Sequence, residues 1–147
     1  MGHRPAADLN TVDYLRGRWT LRRSIEDASS GQRGSFAGTA AFTPQADGLT
    51  WVESGMLRWP TYRGPAGRTL RVAPGAGSTA AILFSDGHFF HELDLGVARS
   101  HVFHDCPPDR YAGIVDVIGA DAWRIEWFCE GPEKNLVIRS SYLRLRA

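Results

Sequence analysis

The chain has 147 residues, of which 17 are Lys or Arg and 16 are Asp or Glu, so its formal net charge is only +1. A nearly neutral chain has no general attraction for nucleic acid or for an anionic membrane, and neither is predicted as a partner. The two cysteines, Cys106 and Cys129, are too few for a disulfide framework, and we expect a reduced, cytoplasmic protein.

The beginning of the chain has no apolar stretch of the kind found in a signal peptide. We interpret residues 1–9 as a flexible leader and residues 10–147 as a single domain, which is long enough to bury a core. Asn10 or Thr11 is a suitable N-cap for one short helical turn that reaches Leu15. No later segment has the spacing of a helix.

From position 17 onward, apolar and polar residues alternate in about ten segments separated by short turns. This period of two is typical of half-buried strands, and short turns make consecutive strands antiparallel. Residues 59–67 and Pro107-Pro108 are predicted to be loops, because both stretches are rich in residues that interrupt strands. The pattern predicts an all-β fold, a single antiparallel up-and-down β-barrel. A sandwich is the alternative, but closure into a barrel removes exposed strand edges.

The segment 80–104 is predicted to form two successive hairpins. Asp86-Gly87 is a strong signal for a two-residue turn, and Gly96-Val97 is the simplest place for the second reversal. This register puts His91 opposite Ile82 on one side and opposite Val102 on the other.

The same register assigns each side chain of the segment to one face, because successive side chains point in opposite directions. One face is mostly apolar and is predicted to lie inside, where it brings together Phe89, His91 and His104. The other face is predicted to meet solvent and carries His88, Phe90 and His101.

Gly17-Arg18-Trp19 at the start of the first strand resembles the Gly-x-Trp motif of the calycin superfamily, which includes lipocalins and fatty-acid-binding proteins. The resemblance implies that Trp19 plugs the closed end of a barrel and that a ligand occupies the interior. From Tyr14 to Arg144 the chain more specifically resembles an uncharacterised bacterial family of this shape, which implies a fold and no activity. The segments that carry this resemblance are 15–23, 86–95, 104–106, 123–127 and 131–134.

The nitrobindins are ten-stranded relatives of these barrels, and they ligate haem through a histidine late in the chain. They open with Gly-x-Trp-x-Gly-x-Gly, whereas Leu21 and Arg23 stand at the positions of the two later glycines, and no histidine follows His104. His91 and His104 have no third ligand at a spacing typical of metal sites. We therefore predict neither a cofactor nor a metal, and a haem or metal carrier remains an alternative.

Polar side chains in phase with apolar neighbours are predicted to point into the barrel. Because an unpaired buried charge is costly, they form either a structural network of Arg23 and Arg68 with Glu53 or the wall of a solvated cavity. We favour the cavity, since one glutamate cannot satisfy every inward polar group and guanidinium groups suit acidic ligands. The predicted ligand-binding residues are Arg23, Glu53, Arg68, His91, His104, Tyr111, Trp127 and Tyr142.

The sequence therefore predicts a barrel that holds a small polar-aromatic or acidic organic molecule in its interior. The alternative from another class is a cofactor-independent enzyme of the lyase or isomerase type that uses interior Glu, His, Arg and Tyr side chains. The residues leave open whether a reaction is catalysed and whether the chain forms a homodimer.

Overall fold

A computed structural model describes residues 10–146 of the chain; the predicted leader at 1–9 and Ala147 lie outside the described residues. The described part contains one short helix followed by ten strands, as predicted. The elements are α1 Thr11–Leu15, β1 Gly17–Asp27, β2 Arg33–Gln45, β3 Gly48–Trp59, β4 Tyr62–Pro74, β5 Thr79–Phe84, β6 Phe89–Asp94, β7 Arg99–Cys106, β8 Asp109–Gly119, β9 Ala122–Gly131 and β10 Lys134–Arg144.

All ten strands belong to one antiparallel sheet, in the order β6-β5-β4-β3-β2-β1-β10-β9-β8-β7. The first and last strands are hydrogen-bonded to each other, with Trp19 opposite Arg144 and Leu21 opposite Tyr142. This pairing brings the first and last strands together in the middle of the sheet, and the sheet curls into a nearly closed barrel whose edge strands are β6 and β7. The predicted barrel is confirmed, and the sandwich alternative is wrong.

The barrel has one seam, between β6 and β7, and here the predicted second hairpin is wrong. These two strands stand at opposite ends of the sheet order, so His91 and Val102 are not ladder partners. Side chains bridge the seam instead. Ser100 donates its hydroxyl hydrogen to the Asp94 carbonyl at 3.1 Å, and the Nδ1 atom of His104 lies 2.9 Å from the Phe90 carbonyl oxygen.

A β-bulge in β6 changes which side chains point inward. Ile82 pairs with His91 as predicted, but the next pair is Leu83 with Phe89, so Phe90 is the additional residue. Phe90 turns inward and stacks on Phe84 with ring centroids 4.5 Å apart, while Phe89 is 56% exposed. The predicted positions of the two phenylalanines are therefore reversed.

The four histidines of this segment lie on the predicted faces in spite of the bulge. His91 is 2% exposed, and His104 is half-buried with its ring against Phe90. His88 and His101 are exposed. The bulge lies between the turn and His91, so it shifts the phase of the phenylalanines without moving either inward histidine.

The stretch predicted as a loop at 59–67 is mostly strand. β3 and β4 turn tightly between Trp59 and Tyr62 and stay paired along their whole length, and Pro65 lies opposite Met56. β5 pairs only with residues 70–74 of β4, so Pro65 has a ladder neighbour on one side only. Proline is tolerated at such edge positions because the missing N–H has no partner to lose.

The helix α1 covers one end of the barrel. Thr11 accepts a hydrogen bond from the Leu95 amide at 2.7 Å, and the Tyr14 hydroxyl donates to the Gly119 carbonyl at 2.6 Å.

Trp19 is 0% exposed beneath the helix and donates its indole N–H to the Leu15 carbonyl at 2.8 Å. The Arg144 guanidinium carbon lies 4.2 Å from the centroid of the Trp19 ring. Trp19 thus plugs this end.

The only helix between residues 10 and 146 is the five-residue α1, and none there is long and apolar enough to cross a membrane.

We expect Trp19→Ala to lower the free energy of unfolding by about 3–5 kcal/mol, the range for deleting a large buried aromatic side chain. Phe103→Ala, which removes an exposed aromatic ring from β7, is the control and should cost less than about 1 kcal/mol. Urea unfolding followed by tryptophan fluorescence and circular dichroism measures both. Equal losses in the two variants would contradict the plug.

Candidate functional site

The interior of the barrel is organised around the carboxylate of Glu53, which is 1% exposed. Alternation along β3 points this side chain inward together with that of Trp51. In the ladder Glu53 lies between Ala40 of β2 and Arg68 of β4. Because Arg68 is the direct cross-strand neighbour, its Nε atom reaches Oε1 of Glu53 at 2.9 Å.

Arg23 approaches the same carboxylate from β1. Its Nη1 and Nη2 atoms donate to Oε1 and Oε2 of Glu53 at 3.1 and 3.3 Å, and its Nε donates to the Ser140 hydroxyl at 2.7 Å. Ser140 is the residue directly opposite Arg23 in the ladder between β1 and β10. The pairing of the first and last strands therefore holds this guanidinium in place.

Two further donors complete the surroundings of the carboxylate. The Tyr142 hydroxyl donates to Oε2 of Glu53 at 2.5 Å, and the indole N–H of Trp51 donates to the same oxygen at 3.1 Å. A carboxylate has about four lone-pair positions, and together with the two arginines these contacts occupy them. The structural network of Arg23 and Arg68 with Glu53, the alternative that we did not favour from the sequence, is present, and one glutamate serves both arginines.

Charge fixes the protonation state of the network. Burial by itself would raise the pKa of Glu53, but the guanidinium groups of Arg68 and Arg23, with the hydrogen bonds to the carboxylate, lower that pKa to about 2. Burial, with Glu53 nearby, raises the pKa of Tyr142. At neutral pH the carboxylate is ionised and the phenol is a neutral donor.

A cavity of about 280 Å³ lies against one side of the network. A smaller cavity of about 170 Å³ shares Arg23, Ile25 and Arg68 with it, so both arginines line the two cavities. The larger cavity has a mainly aromatic and aliphatic lining. Its residues are Arg23, Ile25, Trp51, Arg68, Leu70, Phe90, His91, Tyr111, Ile125, Trp127, Cys129, Ile138, Ser140 and Tyr142.

One wall of the larger cavity is a stack of parallel rings. Phe90 stacks on Phe84 at 4.5 Å and on Trp127 at 5.7 Å, with an interplanar angle of 6° for the second pair. His91 and Tyr111 meet the Trp127 ring edge-on. Of these rings, those of Phe90, His91, Tyr111 and Trp127 line the cavity, which suits an aromatic ligand.

His91 presents a neutral hydrogen-bond acceptor to the cavity. Its Nδ1 atom lies 2.7 Å from the Glu92 carbonyl oxygen, and since a carbonyl only accepts, Nδ1 carries the hydrogen. Nε2 has no hydrogen-bond partner within residues 10–146. Burial lowers the pKa of His91 to about 4. The hydrogen bond to Glu92 raises this pKa, and the nearby Arg68 charge lowers it further.

Six of the eight predicted site residues line the larger cavity: Arg23, Arg68, His91, Tyr111, Trp127 and Tyr142. Glu53 lies behind the guanidinium groups and lines the smaller cavity. His104 lies at the seam, where it contacts Phe90 and the ring of Tyr111.

Sequence reasoning missed Phe90 and Ser140 as parts of the site. Ser140 was detectable, because it is in phase with Tyr142 on the last strand. Phe90 was not, since an alternating pattern carries no signal for the bulge that turns its ring inward. Between residues 10 and 146, no group of three or more His, Cys, Asp or Glu side chains is placed to hold a metal ion.

The model of a family of unknown function, DUF6314, matches residues 15–144. Among solved structures, the chain is similar to the S-type phycobiliprotein lyase CPES from Guillardia theta, with a TM-score of 0.67 and 8% identity over 97% of this chain and 96% of that one. It is also similar to a protein of unknown function from the DUF3598 family of Nostoc punctiforme, with a TM-score of 0.63 and 12% identity over 99% of this chain and 54% of that one. No functionally curated protein matches the chain. These likenesses show the fold alone.

We expect Glu53→Gln to lower the free energy of unfolding by about 3–5 kcal/mol, because it leaves the buried Arg23 charge without an anion. Arg23→Met should cost less, since Arg68 still neutralises Glu53.

Asp116→Asn is the matched control. Asp116 also accepts from two arginines, Arg99 and Arg124, but it lies on the outer face, where the loss should stay below about 1 kcal/mol. Urea unfolding at pH 7 compares the variants. A Glu53→Gln loss no larger than that of Asp116→Asn would contradict the network's structural role.

Acid should destabilise the protein through His91. Its pKa is about 4 in the folded state against 6.5 for an ordinary histidine, so between these values the unfolded chain binds a proton that the folded chain does not. The stability that neutral His91 contributes is thus present above about pH 6.5 and is lost as the pH falls, by roughly 2–3 kcal/mol at pH 4.5.

We expect His91→Gln to remove this loss between pH 7 and pH 4.5, and His101→Gln, at an exposed position, to retain it. Urea unfolding across this range measures the slope for each protein. The same slope in His91→Gln as in the wild type would show that another group is responsible.

Proposed function

This chain belongs to the family of unknown function DUF6314, and we propose that it binds one small organic molecule inside its calycin-like barrel. The ligand occupies the larger cavity, between the Glu53 network and the stacked rings of Phe90 and Trp127. We propose that it is either acidic or polar and aromatic.

The observation that supports this proposal most strongly is the cavity itself. Its volume of about 280 Å³ is close to the lower limit of ordinary ligand pockets. A cavity of this volume suits a small molecule rather than a lipid chain. Its lining combines a large apolar surface with a few fixed polar groups, the arrangement typical of ligand sites. A barrel interior filled only for stability has no such space, because side chains pack it to the density of an organic crystal.

The polar groups favour an acidic or polar ligand. Arg23 and Arg68 bring two positive charges to the cavity while Glu53 brings one negative charge behind them. A guanidinium group binds carboxylates and similar planar acceptors through paired hydrogen bonds. The aromatic wall contributes dispersion and stacking to a flat ligand body.

The same residues give little support to the enzyme alternative. A general base works best with a pKa near the working pH. The pKa values of Glu53, about 2, and His91, about 4, lie well below neutrality, and the lone pairs of Glu53 are already occupied. Binding is therefore the function that the geometry favours.

We expect Ile138→Phe to abolish binding by filling the cavity, because Ile138 lines it. Val137→Phe adds the same ring at the neighbouring position of β10, outside the cavity lining, and is the control. Indole, benzoate and benzamide serve as probes in ligand-observed NMR, and at least one should bind the wild type with a Kd below about 1 mM. The proposal fails if none of the three binds, or if Ile138→Phe leaves their binding unchanged.

A further inference from the structure

The two arginines at the cavity differ in how many of their hydrogen-bond donors are already used. Arg23 donates to Ser140 through Nε and to Glu53 through both Nη atoms. Arg68 donates to Glu53 through Nε only, and its Nη1 and Nη2 atoms have no hydrogen-bond partner within residues 10–146. The outer edge of the Arg68 guanidinium is therefore the open donor surface of the network.

Glu53 cannot take up these remaining donors. Its Oε1 atom accepts from Arg23 and Arg68, and its Oε2 atom accepts from Tyr142, Trp51 and Arg23. The hydrogen bond to Glu53 anchors the Arg68 guanidinium at Nε, although the side chain is 41% exposed. A guanidinium that is fixed at Nε and open at both Nη atoms presents two parallel N–H bonds, which match the two oxygens of a carboxylate.

The charges around the cavity leave room for one negative charge. Arg23 and Arg68 carry two positive charges and Glu53 carries one negative charge. His91 is neutral at neutral pH because burial lowers its pKa to about 4. A monoanion balances the remaining positive charge, whereas a phosphate monoester, which carries about −1.5 to −2 at pH 7, exceeds it.

We propose that the ligand is an aromatic monocarboxylate that binds through its carboxylate to Nη1 and Nη2 of Arg68. Its ring lies against the wall formed by Phe90 and Trp127. This inference rests on the proposed function, because it names the class of molecule that occupies the same cavity. Arg68 would then have two roles, since its Nε atom supports the structural network and its outer edge selects the ligand.

The test compares benzoate, benzamide and phenyl phosphate by isothermal titration calorimetry at pH 7. Benzamide keeps the ring and the planar head of benzoate but lacks its charge. In the wild type we expect benzoate to bind at least about tenfold more tightly than benzamide or phenyl phosphate, a difference of about 1.4 kcal/mol.

Three variants locate this preference. Arg68→Gln should remove the preference for benzoate over benzamide. Arg68→Lys, which keeps the charge but loses the paired donors, should retain only part of it. Arg71→Gln, which removes an exposed arginine from the same strand, should leave it unchanged. Circular dichroism and thermal melting show whether each variant is folded, and Arg68→Lys provides the comparison if Arg68→Gln does not fold.

Failure of this inference is distinguishable from failure of the proposed function. If benzamide or indole binds as tightly as benzoate and Ile138→Phe blocks that binding, the cavity is a ligand site but the carboxylate assignment is overturned. The assignment is also overturned if Arg71→Gln weakens the preference as much as Arg68→Gln, because general charge attraction would then explain it. If no probe binds the wild type, both proposals fall.

Discussion

The structure depends on one buried carboxylate. Removing an ionised carboxylate from water costs several kcal/mol, and the cost is offset only where opposite charges and hydrogen bonds replace the lost hydration. Glu53 of β3 receives this replacement from β1, β4 and β10 through Arg23, Arg68 and Tyr142. Three of the first four strands and the last strand are thus tied to a single group, and the network forms only when β10 pairs with β1.

Under the proposed function, structural support and ligand binding would use different parts of this network. Its deep side, where Tyr142 and the Nη atoms of Arg23 meet Glu53, is saturated and serves stability. On its other side, Arg68 lines the cavity and its Nη atoms have no hydrogen-bond partner within residues 10–146. A single positive charge remains after the internal pairing of Arg23 and Arg68 with Glu53.

The aromatic side of the cavity depends on a different feature, the irregular strand β6. Its bulge turns Phe90 onto Trp127. Because β6 is an edge strand, its carbonyl groups at the seam are contacted by side chains of β7, such as His104. The opposite end of the barrel is regular by comparison, and there Trp19 is buried in contact with α1 and Arg144. One end is therefore sealed by packing, while the cavity lies beside the seam.

The sequence by itself determined the number of strands, their order along the chain and the inward direction of Arg23, Glu53, Arg68 and Tyr142, because a period of two assigns each side chain to a face without knowledge of its neighbours. Only the tertiary structure decided which groups meet: Arg23 and Ser140 are 117 residues apart and become neighbours when the last strand pairs with the first. It also decided the direction of Phe90, since a bulge adds one residue to one strand of a pair and alternation alone carries no trace of it.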